Sequence, residues 1–150
     1  MNEIRVANAS DAERISMVIL KTSIDCCFSQ EEPCPDWYRE SIAPHQIREL
    51  IDSTDYEWLV ATQREDIVGV LAVAQKKHIK YYFVLHEVQA MGIGRKLWNE
   101  AVRRSILVIE VSVRSSINAV PVYEKLGFVK TGKASTFNGM VYQPMAAKYG

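Results

Sequence analysis

The stretch Gln89-Ala90-Met91-Gly92-Ile93-Gly94 joins an apolar run with strand character, Ile79 to Leu85, to a run with helical spacing that begins at Arg95. The first backbone N–H groups of a helix have no partner within the helix, and they attract anions. Glycine in such a turn lets a phosphate come against the main chain, because no Cβ stands in the way. The stretch therefore predicts an anion-binding turn, or else a tight strand-to-helix turn with a purely structural role.

A second block further along the chain decides between these alternatives. It reads Ala119-Val120-Pro121-Val122-Tyr123-Glu124-Lys125-Leu126-Gly127-Phe128. The two blocks, with a strand between them, resemble the GNAT superfamily of N-acetyltransferases. In that family the phosphate loop reads Gln/Arg-x-x-Gly-x-Gly/Ala, and a later helix ends in Ala-x-x-x-Tyr-x-x-x-Gly-Phe. The blocks cover residues 80 to 130, and the order of elements extends the match more loosely to nearly all of the chain.

Hydrophobic periodicity and turn residues predict the elements on either side of these blocks. The predicted order is β-α-α-β-β-β-α-β-α-β-β in a single domain, residues 1 to 150. It implies an α/β (mixed α+β) fold of the GNAT-like acyl-CoA acyltransferase type, with a mixed, mostly antiparallel sheet and helices on both faces. The predicted strands are 3–7, 57–62, 67–75, 79–85, 107–113, 128–133 and 140–145, and the helices are 11–24, 37–51 with an interruption near Pro44, 93–104 and 119–126.

Composition excludes several classes of protein. Lys plus Arg and Asp plus Glu both number 18, so the formal net charge is zero, which argues against a general nucleic-acid binder. No apolar stretch approaches the ~20 residues that span a membrane, and residues 1–5 lack the pattern of an export signal. We therefore expect a cytoplasmic location. The cysteines, Cys26, Cys27 and Cys34, favour reduced thiols over a zinc site, which would need a further ligand such as His45.

The resemblance implies acetyl-CoA as the cosubstrate and no metal. Main-chain groups of three strand residues would pair with the pantetheine arm, at a splayed edge between strands 79–85 and 107–113, and amides of the glycine stretch would hold the diphosphate. An extended amide can add to an open strand edge as a peptide does. The family's asparagine is replaced by Ser116, with Asn118 two places on, so which of them touches the cofactor stays open. The predicted cofactor-binding residues are Tyr82, Phe83, Val84, Gln89, Ala90, Met91, Gly92, Ile93, Gly94, Arg95, Ser116 and Asn118.

Acetyl transfer to an amine needs a base for the ammonium and a proton for the leaving thiolate. Tyr123 matches the family's proton donor, and its alternative role is that of a packed aromatic residue. Glu110, the only charge in the apolar run Leu107 to Val113, is the predicted base, although its spacing to Tyr123 is one residue longer than in the family. Glu87, His86 or a chain of waters are alternatives.

The sequence gives the least information about the acceptor. By resemblance, the segment from Cys26 to Trp37 forms one wall of the acceptor cleft. Its acidic residues indicate a cationic amine or simply a solvated loop. We expect acetyl-CoA and an unidentified amine as partners, no nucleic acid, no membrane, and a possible homodimer from family habit. A non-catalytic acyl-CoA-binding module is the alternative function. A dinucleotide site is remote, because Leu97 occupies the place of a third glycine.

Overall fold

A computed structural model describes residues 2–28, 30, 33–104, 106–107 and 110–148, without the side chains of Asn2, Cys26 and Cys27. The strands are β1 Asn2–Val6, β2 Tyr56–Gln63, β3 Asp66–Ala74, β4 His78–Val84, β5 Glu110–Ser115, β6 Val129–Lys130, β7 Ser135–Phe137 and β8 Met140–Lys148. The α-helices are α1 Ala12–Cys27, α2 Asp36–Ser41, α3 Pro44–Asp52, α4 Ile93–Arg103 and α5 Val120–Lys125. Short 3-10 helices span Ala9–Asp11, His86–Met91 and Ile117–Ala119.

The strands form one mixed sheet in the order β1-β2-β3-β4-β5-β8-β6, and β7 pairs with β8 beside this path. The β4–β5 pair is parallel, and the other pairs are antiparallel. The predicted mixed, mostly antiparallel sheet is therefore confirmed. Within the described residues, no helix is long and apolar enough to cross a bilayer.

Helices cover both faces of the sheet, as predicted. α1 and α3 pack on one face through Ile15, Ile19 and Ile47, and α4 packs on the other through Ile93 and Leu97. The interior of β3 is buried throughout, because it lies between these layers. Its apolar residues on both alternations predict such double coverage.

The position of α4 depends on a glycine in β3. A Cβ added to Gly69 would lie 3.1 Å from Leu97 Cδ1 and 3.3 Å from Ile93 Cγ2. Its absence lets the start of α4 approach the sheet closely. Because Ile93 is the first residue of α4, this contact also fixes where the glycine turn lies.

Three predicted elements differ from the structure. The predicted helix 37–51 is two helices, α2 and α3, and the break falls at Pro44 as expected. β5 begins at Glu110 rather than Leu107, and residues 108 and 109 lie outside the described part. The predicted strand 128–133 is only β6, and Asn138-Gly139, with φ of 47° and 88°, joins β8 to an unpredicted β7. β7 is exposed along its length, so no apolar alternation indicated it.

Asp11 joins β1 to the start of α1 and gives a test of the fold. Its carboxylate accepts hydrogen bonds from both terminal nitrogens of Arg5, at 2.8 and 3.0 Å, and from the Asn8 N–H at 2.9 Å. The Arg5 hydrogen bonds, above all, hold the pKa of Asp11 below its usual value. We expect Asp11→Asn to lower the free energy of unfolding by ~2 kcal/mol at pH 7 in urea denaturation.

The pH dependence of that loss follows from the lowered pKa. A carboxylate whose pKa is lower in the folded protein stabilises it above the unfolded value and loses this effect as pH falls. The difference between wild type and Asp11→Asn should therefore shrink below about pH 4. Glu13→Gln, an exposed change in the first turn of α1, is the control. Equal stability of the two variants at pH 7 would contradict the assignment.

Candidate active site

A gap opens in the sheet between β4 and β5. Their parallel pairing is confined to His78 with Ser112 and Ile79 with Val113. β4 continues to Val84 beside β3 alone, so its other edge is not paired with β5 beyond Ile79. We call this gap the splay and its closed end, just beyond Ile79 and Val113, the vertex. The family resemblance implied a splayed edge between these two strands.

The backbone of β4 presents hydrogen-bonding groups to the splay. The Leu85 N–H donates to the Val68 carbonyl at 2.9 Å, on the β3 side. In an antiparallel pair, successive residues direct their N–H and C=O groups alternately toward and away from the partner strand. The register pairs Val84 with Gly69 and Tyr82 with Leu71, so the N–H groups of Val84 and Tyr82 point into the splay. These are the predicted contacts for an extended arm.

The glycine turn lies at the open end of the splay. Gly92 has φ of +73°, a left-handed conformation that favours glycine, and it precedes α4. The first hydrogen bond of α4 runs from the Lys96 N–H to the Gly92 carbonyl at 3.1 Å. The N–H groups of Ile93, Gly94 and Arg95 therefore have no acceptor within the helix, and they form an anion-binding helix start. The residues before Gly92 form a 3-10 helix in which Ala90 and Met91 are exposed.

Two side chains fix this turn against β4. The Tyr82 hydroxyl donates to the Gly94 carbonyl at 2.5 Å, and the Gln89 side-chain amide donates to the Val84 carbonyl at 3.0 Å. Gln89, predicted as a cofactor residue, thus holds the strand end in place. Tyr82, predicted only through its main chain, also positions the turn with its side chain. Both bonds set the distance between the helix start and the strand edge.

Tyr123 lies beside the splay, on the α4 face of the sheet. α5 ends in a Schellman motif, in which the Phe128 N–H donates to the Tyr123 carbonyl and Gly127 has φ of +100°. The Tyr123 ring packs 5.9 Å from Tyr82 and 5.4 Å from Phe128, between centroids. Burial, and then the nearby Tyr82, raise the pKa of Tyr123. The phenol is therefore protonated at neutral pH and able to donate.

The opposite face of the vertex carries polar side chains that the sequence did not single out. His78 Nδ1 lies 2.8 Å from the Ser112 hydroxyl, and these two residues form one of the two parallel pairs between β4 and β5. Burial, then the charges of Lys80 and Arg114, lower the pKa of His78. Its imidazole is therefore neutral at pH 7 and can accept a proton. No local pattern indicated this cluster, because the parallel register brings together residues more than thirty positions apart.

Glu110 lies away from the vertex. Ser112 is level with His78, so Glu110 is two residues before the start of β4, exposed, and opposite Lys148. At 3.3 Å per residue, Glu110 is about 13 Å along β5 from Arg114, which is the first residue of β5 beyond the pairing with β4. The geometry therefore does not support its predicted role as the base. In the described part of the chain, β5 begins at Glu110, where the sequence predicted a strand from Leu107.

The remaining predicted residues have other surroundings. Glu87 forms an exposed ion pair with Lys21 at 3.1 Å, and His86 is exposed in the same 3-10 helix. The Ser116 hydroxyl accepts from the Ala119 N–H at 3.2 Å, so it caps the helical turn before α5. Asn118 is exposed in that turn. Phe83 points to the face opposite Tyr82 and packs 6.3 Å from Tyr81, so only its main chain lies along the splay.

Trp37, at the start of α2, contacts a segment that is distant in the sequence. The Trp37 indole donates to the Asn138 carbonyl at 3.1 Å, and its ring packs 5.6 Å from Phe137. α2 and the β7–β8 hairpin therefore meet. Of the acidic residues predicted to favour a cationic acceptor, Glu31 and Glu32 lie outside the described residues, and so do the side chains of Cys26 and Cys27.

A parallel strand pair thus separates beside a glycine-rich helix start, which offers a strand edge to an extended arm and free N–H groups to an anion. Residues 27–149 match the family model of the acetyltransferase (GNAT) domain. The chain therefore belongs to the GNAT acetyltransferase family.

Solved structures of this family resemble the whole chain. The Thermoplasma acidophilum PaiA N-acetyltransferase in complex with coenzyme A is 22% identical, with a TM-score of 0.78 over 99% of both chains. The Escherichia coli ribosomal-protein-S18-alanine N-acetyltransferase is 17% identical, with a TM-score of 0.69 over 99% of this chain and 94% of that one. An aminoglycoside 6'-acetyltransferase type Ii is 16% identical, with a TM-score of 0.73 over 97% and 96%. At these identities the likeness establishes the fold.

Proposed function

We propose that the protein transfers the acetyl group of acetyl-CoA to a primary amine by direct attack. The observation that carries this proposal is the continuity of the β4 edge with the helix start. The N–H groups of Tyr82 and Val84 lead along the splay to those of Ile93 to Arg95. The diphosphate binds at the helix start, and the pantetheine arm pairs with β4. The thioester then lies near the vertex.

The chain's own groups meet both proton requirements at the vertex. A backbone N–H at the vertex end of the β4 edge stabilises the carbonyl oxygen as it gains negative charge in the tetrahedral intermediate. The Tyr123 phenol donates a proton to the departing thiolate. Tyr123 and its aromatic neighbours fill the α4 face, so the amine approaches from the face that carries His78. The thiolate then receives its proton on one side of the sheet, and the ammonium loses its proton on the other.

His78 is the proposed base in place of Glu110. Its neutral imidazole takes a proton from the incoming ammonium, directly or through one water. Burial, and then the charges of Lys80 and Arg114, lower the pKa of His78, so the imidazole is neutral at pH 7.

Enzymatic acetylation of amines by the purified protein tests this proposal. The purified protein, acetyl-CoA and a panel of primary amines are incubated, and released CoA thiol is measured together with the acetylated product by mass spectrometry. Amine-dependent thiol release with a matching product is expected. A protein that binds acetyl-CoA but acetylates no amine would instead be the non-catalytic acyl-CoA-binding module.

Gly94→Ala separates the needs of the fold from those of the ligand. A Cβ at Gly94 would meet the Tyr82 hydroxyl at 3.4 Å and Val84 Cγ2 at 3.7 Å, which are ordinary contacts. Alanine also favours helix by up to ~1 kcal/mol. We expect unchanged or higher thermal stability and a CoA Kd within about twofold of wild type in calorimetry, because the family's phosphate loop also has alanine at this position.

Gly132→Ala is the matched control for that change. A Cβ there would lie 3.8 Å from Pro144 Cγ, far along the chain from the turn. Neither stability nor CoA affinity should change. A CoA Kd raised by ~10-fold in Gly94→Ala alone would instead show that this position must be glycine for the cofactor to approach.

A further inference from the structure

Two cationic side chains flank the vertex. In the β3–β4 register, Tyr81 pairs with Ala72 and Ile79 with Val73, so Lys80 is the extra residue of a β-bulge. Bulges redirect side chains and often lie beside active sites. On β5, Arg114 follows Val113, the last residue paired with β4. Lys80 and Arg114 therefore occupy the first positions at which the two strands separate.

Both cations lie on the face of the sheet opposite Tyr123. The Lys80 ammonium is 5.7 Å from the centroid of the Tyr81 ring, and Tyr81 packs with the α1 side of the core. The Arg114 guanidinium is 5.2 Å from the Tyr142 ring, on β8. This is the face from which the acceptor amine would reach the thioester.

Aromatic rings, rather than carboxylates, hold these cations. Neither forms an ion pair in the described part of the chain. The one carboxylate of β5, Glu110, lies at the far end of the strand opposite Lys148. Burial and then the charge of Arg114 lower the pKa of Lys80, which shows that the two cations interact unfavourably. An anion placed between them would remove this repulsion and gain charge-assisted hydrogen bonds.

We propose that the acceptor is a small amine that also carries a carboxylate or phosphate a few bonds from its nitrogen, and that Lys80 and Arg114 bind this anionic group. The inference rests on the proposed acetyl transfer and specifies its acceptor. Anchoring the anion at the vertex holds the amine next to the thioester and His78. An acceptor with positive charge alone would be repelled, contrary to the cationic preference indicated by the acidic residues of the segment from Cys26 to Trp37.

Matched amine pairs test this directly. Phosphoethanolamine is compared with ethanolamine, β-alanine with β-alaninamide, and glycine with glycinamide, at saturating acetyl-CoA and low salt. In at least one pair, the member with the anionic group should have a kcat/KM at least ~10-fold higher than its partner without that group, since one charge-assisted contact contributes about that factor. We call the first member the anionic amine and the second, whose only charge is its ammonium, the neutral partner. Thiol release and product mass are the readouts.

Variants assign the preference to the two residues. Lys80→Gln and Arg114→Gln should each raise KM for the anionic amine by ~10-fold and leave the neutral partner almost unchanged, with thermal unfolding showing that both variants fold. Lys148→Gln removes a cation from the same face, opposite Glu110, which is four residues before Arg114 on β5. It should change KM for neither amine. A structural role alone would affect both members of a pair equally.

The outcomes separate this inference from the proposed function. Equal kcat/KM within every pair, or equal losses for both members in the two variants, overturn the anionic acceptor while leaving acetyl transfer intact. Acetylation of only the neutral amines does the same. A protein that binds no CoA overturns the proposed function, and the anionic acceptor fails with it.

Discussion

Tyr123→Phe is expected to lower kcat by ~10²- to 10³-fold while the Kd of CoA stays within about twofold of wild type. The change removes the phenol proton that the departing thiolate receives, but it keeps the ring that packs against Tyr82 and Phe128. Steady-state kinetics with acetyl-CoA and an accepted amine give kcat, and calorimetry gives the Kd. Because burial raises the pKa of Tyr123, its ionisation should produce no fall in activity below pH 10.

The control is Tyr56→Phe, which removes a hydroxyl from β2 on the α1 side of the core. Its kcat should equal that of wild type. If Tyr123→Phe also retained full kcat, Tyr123 would be only a packed aromatic residue, and the thiolate would receive its proton from elsewhere.

His78→Gln should have the second large effect, a fall in kcat of ~10²-fold at pH 7. Glutamine can still hydrogen-bond to the Ser112 hydroxyl but cannot take a proton from the amine. The lowered pKa of His78 places the acid limb of the wild-type kcat profile below pH 6.5, because activity is lost only when the imidazole is protonated. That limb should be absent from the residual activity of the variant.

His45→Gln on α3 is the matched control, since His45 is an exposed histidine far from the vertex. Its pH profile should follow that of wild type. A wild-type kcat in His78→Gln, with the acid limb unchanged, would favour a chain of waters as the route for the amine proton.

Local sequence predicted the parts of the site that depend on backbone conformation. Gly92 and Gly127 each lie at a helix end with a left-handed φ, which only glycine adopts without strain. The double coverage of β3 followed from its apolar residues on both alternations. These features depend on neighbours in the chain, so their patterns could be read one segment at a time.

The polar side of the vertex depends on register, which local patterns do not specify. His78 meets Ser112 only because β4 and β5 pair in parallel at two positions, and Lys80 is redirected by a bulge. The same register places Glu110 two residues before the start of β4. A shift of one residue reverses the face of every side chain in a strand, so these positions could not be assigned before the pairing was known.

The central claim is that the N–H groups of Ile93 to Arg95 bind a diphosphate and that the edge of β4 aligns the thioester arm. A crystal structure of the protein with CoA tests it most directly. We predict diphosphate oxygens within hydrogen-bond distance of those N–H groups, pantetheine amides paired with Tyr82 and Val84, and the sulfur near the Tyr123 hydroxyl. A diphosphate bound away from the start of α4, or a splay filled by the protein's own side chains, would contradict it.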